Sequence, residues 1–444
     1  MLRDIRFFLL LALLGIAVPL TGCPAEGGDD DDAVGDDDDS VAALDCGPGQ
    51  VGGDDEYCIL TGTIVEDWTI PAGVPYLLRA GVTIGDDVST TVLTVDAGAT
   101  IFGESSTDGM LVIARNSRIE ANGTADAPIV FTSDKAPGSR ARGDWGGLII
   151  NGNAPINSAD PAECDNEDGW AFGEGGTGWY GGCDADDDSG TLNYVRVEFA
   201  GTLVSPDNEL NGIAFQGVGA GTEVDYVQVH MNADDGVEFF GGTVNARHIV
   251  LTGIGDDSLD WTDGWQGNAQ YVLAQQFDDA SDNGIEADNN GDDRAATPVS
   301  HPRLANVTLI GAPGSDASDI GLLLREGTRA DLMNFIVADF NDSCLDVDHA
   351  ETVAGLGTDL TIQHSTLDCA LNLTEDDETD DTQDWFDAGT GNAEAAAGLS
   401  GWAPSAEIAG GDPSAWDSWF DAATFQGAIG ADDWTAGWIE TAQN

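Results

Sequence analysis

Four short acidic motifs hold the residues of this chain best suited to chemistry. They read Asp234-Asp235-Gly236-Val237-Glu238, Asp256-Asp257-Ser258-Leu259-Asp260, Asp282-Asn283-Gly284-Ile285-Glu286 and Asp342-Ser343-Cys344-Leu345-Asp346. A degenerate copy, Asp319-Ile320-Gly321-Leu322-Leu323, lies between the last two. Carboxylates in number are the hard oxygen ligands that calcium takes. The expected calcium ligands are Asp234, Asp256 and Asp282 in one file and Glu238, Asp260 and Glu286 in another. Asp and Asn at turns also cap backbone groups without any ligand, so the motifs have a purely structural use too.

The spacing says what must position them. From Gly236 the equivalent positions follow at Ser258, Gly284, Gly321 and Cys344, in steps of 22, 26, 37 and 23 residues. A second file starts at Tyr226-Val227-Gln228-Val229 and recurs from His248, Tyr271, Asn306, Asn334 and Thr361. A period in the twenties built from strand-like residues marks a β-solenoid, with longer steps absorbed by loops. Coils stack about 4.8 Å apart. Acids that close must share protons, gather counter-ions or bind metal. Alternation predicts Val237, Leu259, Ile285, Leu322 and Leu345 inside, with Glu238, Asp260, Glu286 and Asp346 facing out. Val227, Ile249, Val272 and Val307 should share one side.

The chain divides into segments of different character. Arg3 and Arg6 precede an apolar run at residues 7–20, too short for a comfortable membrane span and readable as a signal h-region. Leu20-Thr21-Gly22-Cys23 resembles the lipobox of bacterial lipoproteins. That implies a signal peptide at 1–22, acylation of Cys23 (palmitate included) and membrane attachment through lipid. Pro24, rather than Asp, follows the cysteine, which under the sorting rule implies the outer membrane, on its periplasmic or cell-surface face. Residues 23–45 form an acidic tether that cannot build a core. Residues 46–373 are the solenoid, with a loop insertion near 153–189 rich in aromatic residues. Residues 374–444 are Trp-rich and are expected to cap the open end of the coil stack.

Six cysteines remain after Cys23 and fall as local pairs: Cys46 with Cys58, Cys164 with Cys183, Cys344 with Cys369. Exported compartments permit such disulfides, and buried free thiols are the alternative. The formal net charge is −67, from 81 acids against 14 bases. A surface of that sign excludes nucleic acid as a partner, since phosphates are repelled. It suits high salt, where screening tames self-repulsion.

Several motifs carry a family resemblance. They are residues 143–152 (Gly-Asp-Trp-Gly-Gly-Leu-Ile-Ile-Asn-Gly), 194–201 (Tyr-Val-Arg-Val-Glu-Phe-Ala-Gly), 235–242, 255–265 and the closing Asp433-Trp434-Thr435-Ala436-Gly437-Trp438. Together these are similar to a family of bacterial surface or secreted lipoproteins within the pectin-lyase-like superfamily. The resemblance implies an all-β, right-handed parallel β-helix with a Trp-rich C-terminal cap. It implies no settled activity, because that fold serves lyases, hydrolases, adhesins and structural proteins alike.

Two enzyme readings stand beside a binding one. A polysaccharide lyase would use acid-bound calcium to neutralise a uronate, with a basic side chain abstracting the adjacent proton. Arg325, on the file of Asp288 and Asp348, is the candidate base, with Asp260, Glu238 and Glu286 beside it. A glycoside hydrolase would use Asp256, Asp257, Asp260 and Asp263, with Trp261 and Trp265 as a sugar wall. The first expectation is a lipid-anchored binding or adhesion protein directed at polysaccharide or a surface protein, its acidic face reinforced by calcium. The alternative is a calcium-dependent carbohydrate-active enzyme.

Overall fold

A computed structural model describes residues 44, 46, 56–205, 209–374 and 381–444. The expected signal segment, Cys23 and all of the tether but Leu44 lie outside these residues. Among the described residues, one sheet of 24 strands winds through the molecule. Its pairings join successive coils in parallel, so the expected β-helix is present.

The strands stack in three columns. The first runs through Val92–Val95 and Arg118–Asn122, then the opening halves of Gly190–Glu198, Glu223–His230, Asn245–Thr252, Asn268–Gln275, Arg303–Ile310 and Ala330–Ala338. The second uses the closing halves of the same long strands. The third comprises Met110–Ile113, Gly147–Asn151, Ile213–Gln216, Val237–Phe240, Leu259–Thr262, Ile285–Ala287, Ile320–Leu324 and Ser343–Val347.

The core is made by like residues stacking on like. Val227, Ile249, Val272 and Val307 pair in register and are buried together. So are Val237, Leu259, Ile285, Leu322 and Leu345. Alternation along each strand requires this once one member of a file points inward.

The corner between the first two columns is less ordinary. Tyr194, Tyr226, His248 and Tyr271 all have left-handed φ, between 49° and 62°. L residues take that conformation at a cost. Here their rings stack at 4.3, 4.2 and 4.7 Å between successive centroids, which offsets it.

The three cysteine pairs form disulfides as expected. The C-terminal region divides in two. Trp385 and Phe386, on the helix Thr382–Ala388, join the core at the last coils, where Trp385 Nε1 donates to the Leu360 carbonyl at 3.0 Å. The expected cap is this helix. The remaining chain turns back and lies along the flank as a strap. Asn334 and Asn306 donate to the carbonyls of Ala423 and Phe425 at 3.1 and 2.6 Å. Further on, Gln228 donates to the Glu440 carbonyl at 2.7 Å, and His230 Nε2 meets the Ala442 carbonyl at 2.9 Å. Trp434 and Trp438 cover the stacked rings of the corner instead of the open end.

Candidate metal centre

The outward positions of the third column form a single file. Val112, Ile149, Ala214, Glu238, Asp260, Glu286, Leu323 and Asp346 pair one after another. Its apolar half is covered by the insertion, through Ile156 and Tyr180. Its acidic half follows at once, and Leu323 interrupts it after Glu286.

A second file precedes the strands. Asp235 Oδ1 accepts the backbone N–H of Asp257 at 3.1 Å, and Asp257 Oδ1 accepts that of Asn283 at 2.8 Å. Asn283 Oδ1 accepts that of Ile320 at 3.2 Å. Each side chain thus caps the next coil, the structural use that turn residues predict. One carboxylate oxygen of Asp235 and of Asp257 serves the backbone in this way.

The files converge into four overlapping trios. They are Asp234, Asp235 and Asp256; Asp235, Glu238 and Asp260; Asp256, Asp257 and Asp282; Asp257, Asp260 and Glu286. Within each, one oxygen per residue lies within 4.8 Å of the others. Calcium bonds oxygen at about 2.3–2.6 Å, so its ligands lie up to roughly 5 Å apart across the ion, and this spread fits.

Full ionisation of the ladder is costly. Burial, then Asp256, raises Asp234 to about 7. Burial, then Asp256 and Asp319, raises Asp282 to about 6. Burial raises Glu286 to about 7 although Arg325 pulls the other way. Asp235, Glu238, Asp257 and Asp260 are pushed well above the carboxylate range, by burial first and second by neighbouring acids, Asp260, Asp235, Glu286 and Glu238 respectively. Two charges no more than 4.8 Å apart repel by about 3 kcal/mol or more at an effective dielectric of ~20. A hydrogen bond to a charged group contributes about 1.5–3 kcal/mol. The capping bonds therefore do not carry the ladder by themselves.

One further atom points to a ligand. Asp260 Oδ1 is buried and has no hydrogen-bond partner. It belongs to the central residue of the ladder, shared by two trios. A divalent cation would satisfy it; an unligated carboxylate oxygen there is costly.

The six expected ligands all fall within these trios. The trios also use Asp235 and Asp257, which the expected set lacks. Their signal was the Asp-Asp doublet, which recurs at 234–235 and 256–257 but is Asp-Asn at 282–283. Asn211 donates to Glu238 Oε2 from a distant segment, and no local pattern announces it. Glu238 faces away from the core as predicted, yet it is 8 % exposed because Asn211 covers it.

Two readings need correction. Trp261 and Trp265 are fully buried in the core, donating to Thr328 Oγ1 and the Val244 carbonyl, so they offer no wall to a sugar. On the strand Leu259–Thr262 it is Asp260, not the neighbouring Trp261, that belongs to the ladder. Asp263 lies outside the trios, where it accepts from the Tyr180 hydroxyl at 3.0 Å. Arg325 lies on the file expected for it, but its guanidinium is bound to Glu286 and, at 3.0 Å, to Asp288. These partners hold its pKa above the usual arginine value, which opposes use as a base.

Of the motifs that carry the family resemblance, 235–242 and 255–265 hold ladder acids, whereas the motif at 143–152 has a structural use. Trp145 is buried and donates to the Glu198 carbonyl at 2.8 Å, while Gly103 leaves room for its ring. Asp144 accepts from Ser133 and from Lys135, the sole lysine.

A family model described as "Pectate-lyase like beta helix domain" matches residues 62–439. Neither the curated proteins nor the solved structures contain a match to the chain.

Proposed function

From the premise that the chain belongs to the pectate-lyase-like β-helix family, we propose that it is a glycan-binding surface protein whose acidic ladder is neutralised by calcium. The family points to a carbohydrate-related role, in binding or in catalysis. The observation that carries the calcium part is the set of four carboxylate trios around the unpartnered Asp260 Oδ1. Asp235, Glu238, Asp257, Asp260 and Glu286 would hold the inner ions; Asp234, Asp256 and Asp282 would complete the outer ones. Calcium there supplies charge neutralisation and coordination that stiffens three successive coils.

Binding is favoured over catalysis because three of the inner acids are buried. Asp235, Glu238 and Asp257 are 7, 8 and 5 % exposed, which leaves a polymer little access to them. Arg325, the candidate base, is already ion-paired. Catalysis keeps one supporting observation. Asp260 is pushed toward its protonated form by burial and by Glu238 and Glu286, the state a general acid needs.

The N-terminal sequence supports export, lipidation at Cys23 and attachment to the outer membrane, with polysaccharide or a surface protein as partner. A direct test combines calcium titration calorimetry with retention and cleavage of neutral and acidic polysaccharides. Calcium binding lost in Asp260→Asn, with retention and no cleavage, is the expected result. Calcium-dependent cleavage abolished by that substitution would replace binding with catalysis.

A further inference from the structure

The insertion presents two aromatic rings to solvent on a braced support. Ala171–Phe172 and Trp179–Tyr180 pair antiparallel, Ala171 opposite Tyr180 and Phe172 opposite Trp179. The pleat turns Ala171 and Tyr180 onto the apolar flank of the β-helix. It turns Phe172 and Trp179 outward, 56 and 37 % exposed. Their rings meet edge to face at 78°, with centroids 5.1 Å apart, and so form an open corner.

The support is rigid. Tyr180 is tied to Asp263, Asn151 donates to the Thr177 carbonyl at 2.8 Å, and Cys164 is bonded to Cys183. Arg115 stacks on Trp170 at 3.7 Å. Glu174, in the turn between the two rings, is close enough to the ladder to raise Asp234 and Glu238. The corner therefore adjoins the N-terminal end of the metal centre.

We propose that Phe172 and Trp179 form a stacking subsite for a neutral sugar ring of a polysaccharide; this rests on the glycan-binding reading above. A hexose has an apolar C–H face and a polar rim. The corner offers apolar rings on an insertion whose exposed acids include Glu167, Asp168 and, in the turn between the two strands, Glu174. Those acids, on a chain of net charge −67, disfavour uronates and phosphates. Two rings are far smaller than the roughly 800 Å² per partner of a stable protein interface. An aromatic pair held in place loses little entropy when a flat ligand stacks on it.

The test compares the full chain in detergent with Phe172→Ala/Trp179→Ala and with Trp179→Tyr. The probes are a soluble glucan, a galactomannan, a xylan and a polygalacturonate, each immobilised, with calcium present. The expected result is retention on a neutral glycan, about tenfold weaker in the double variant and largely kept in Trp179→Tyr. Calcium affinity and the thermal midpoint should not move. Equal retention by the double variant would overturn the subsite and leave the glycan-binding reading standing. Retention on polygalacturonate alone would overturn the neutral class. No retention of the unsubstituted chain on any probe would overturn both readings.

Discussion

Asp257 Oδ1 accepts the backbone N–H of Asn283, one coil further on, at 2.8 Å. The same carboxyl group belongs to two of the carboxylate trios. One residue thus serves the fold with an acceptor and burdens it with a charge. The two uses separate by substitution.

Asp257→Asn keeps the acceptor and removes the charge, as Asn283 does naturally. In chelator it should raise stability. Asp257→Ala removes the acceptor also and should fall below Asp257→Asn by about 1–2 kcal/mol. Urea unfolding of both, with chelator and with calcium, measures the difference. Calcium should stabilise the unsubstituted chain more than either variant.

The raised carboxyl groups set a pH dependence. Asp234, Asp282 and Glu286 titrate at about 7, 6 and 7 when folded. An unfolded carboxyl titrates near ~4. The folded state therefore binds more protons over that window. Stability from these groups is full below the unfolded value and is lost as pH rises through the folded values. In chelator the unfolding midpoint should fall between about pH 5 and pH 8, and calcium should flatten the fall. A midpoint that rises over this range without calcium would show that the ladder is not the dominant titrating element.

Arg325 is bound at the ladder's end, through Glu286 and Asp288. Arg325→Met leaves both acids without it. Arg325 is 34 % exposed and solvent screens the pair, so the expected loss is about 1 kcal/mol in chelator, and calcium should recover part of it. Unchanged stability together with loss of a measured polysaccharide cleavage would instead make Arg325 a catalytic residue.

The strap should be a stabilising element. Trp438 is 1 % exposed against Tyr194 and Tyr226. Trp438→Ala should cost about 3 kcal/mol and expose the strap to limited proteolysis ahead of the coils. Simultaneous cleavage of strap and coils would show that they unfold as one unit.

Cys23→Ser should abolish labelling by palmitate and release the chain from the membrane fraction. Retention of both would refute lipidation at that cysteine.

The period, the inward files and the cysteine pairs were legible because a solenoid repeats its environment every coil. Each inward file shows in sequence as like residues at matching offsets, and a cysteine pair 25 residues apart spans about one coil. The acid files were legible for the same reason. What repetition does not encode was missed. Asn211 reaches Glu238 from a loop, and the strap returns to Gln228 over 212 residues of chain. Trp261 looked available beside the acids although the alternation that turns Asp260 outward turns it inward, and Trp265, beyond the strand, is buried by packing that the period does not record.

The sequence by itself determined the parallel coil, which residue types stack, and where acids accumulate, since those follow from local periodicity and alternation. Tertiary structure decided which carboxylates share an ion, which of them are sealed, and which aromatic rings remain exposed. Those properties depend on how loops and tail fold over the coil. That packing is set by contacts between segments far apart in the chain, and no local spacing records it.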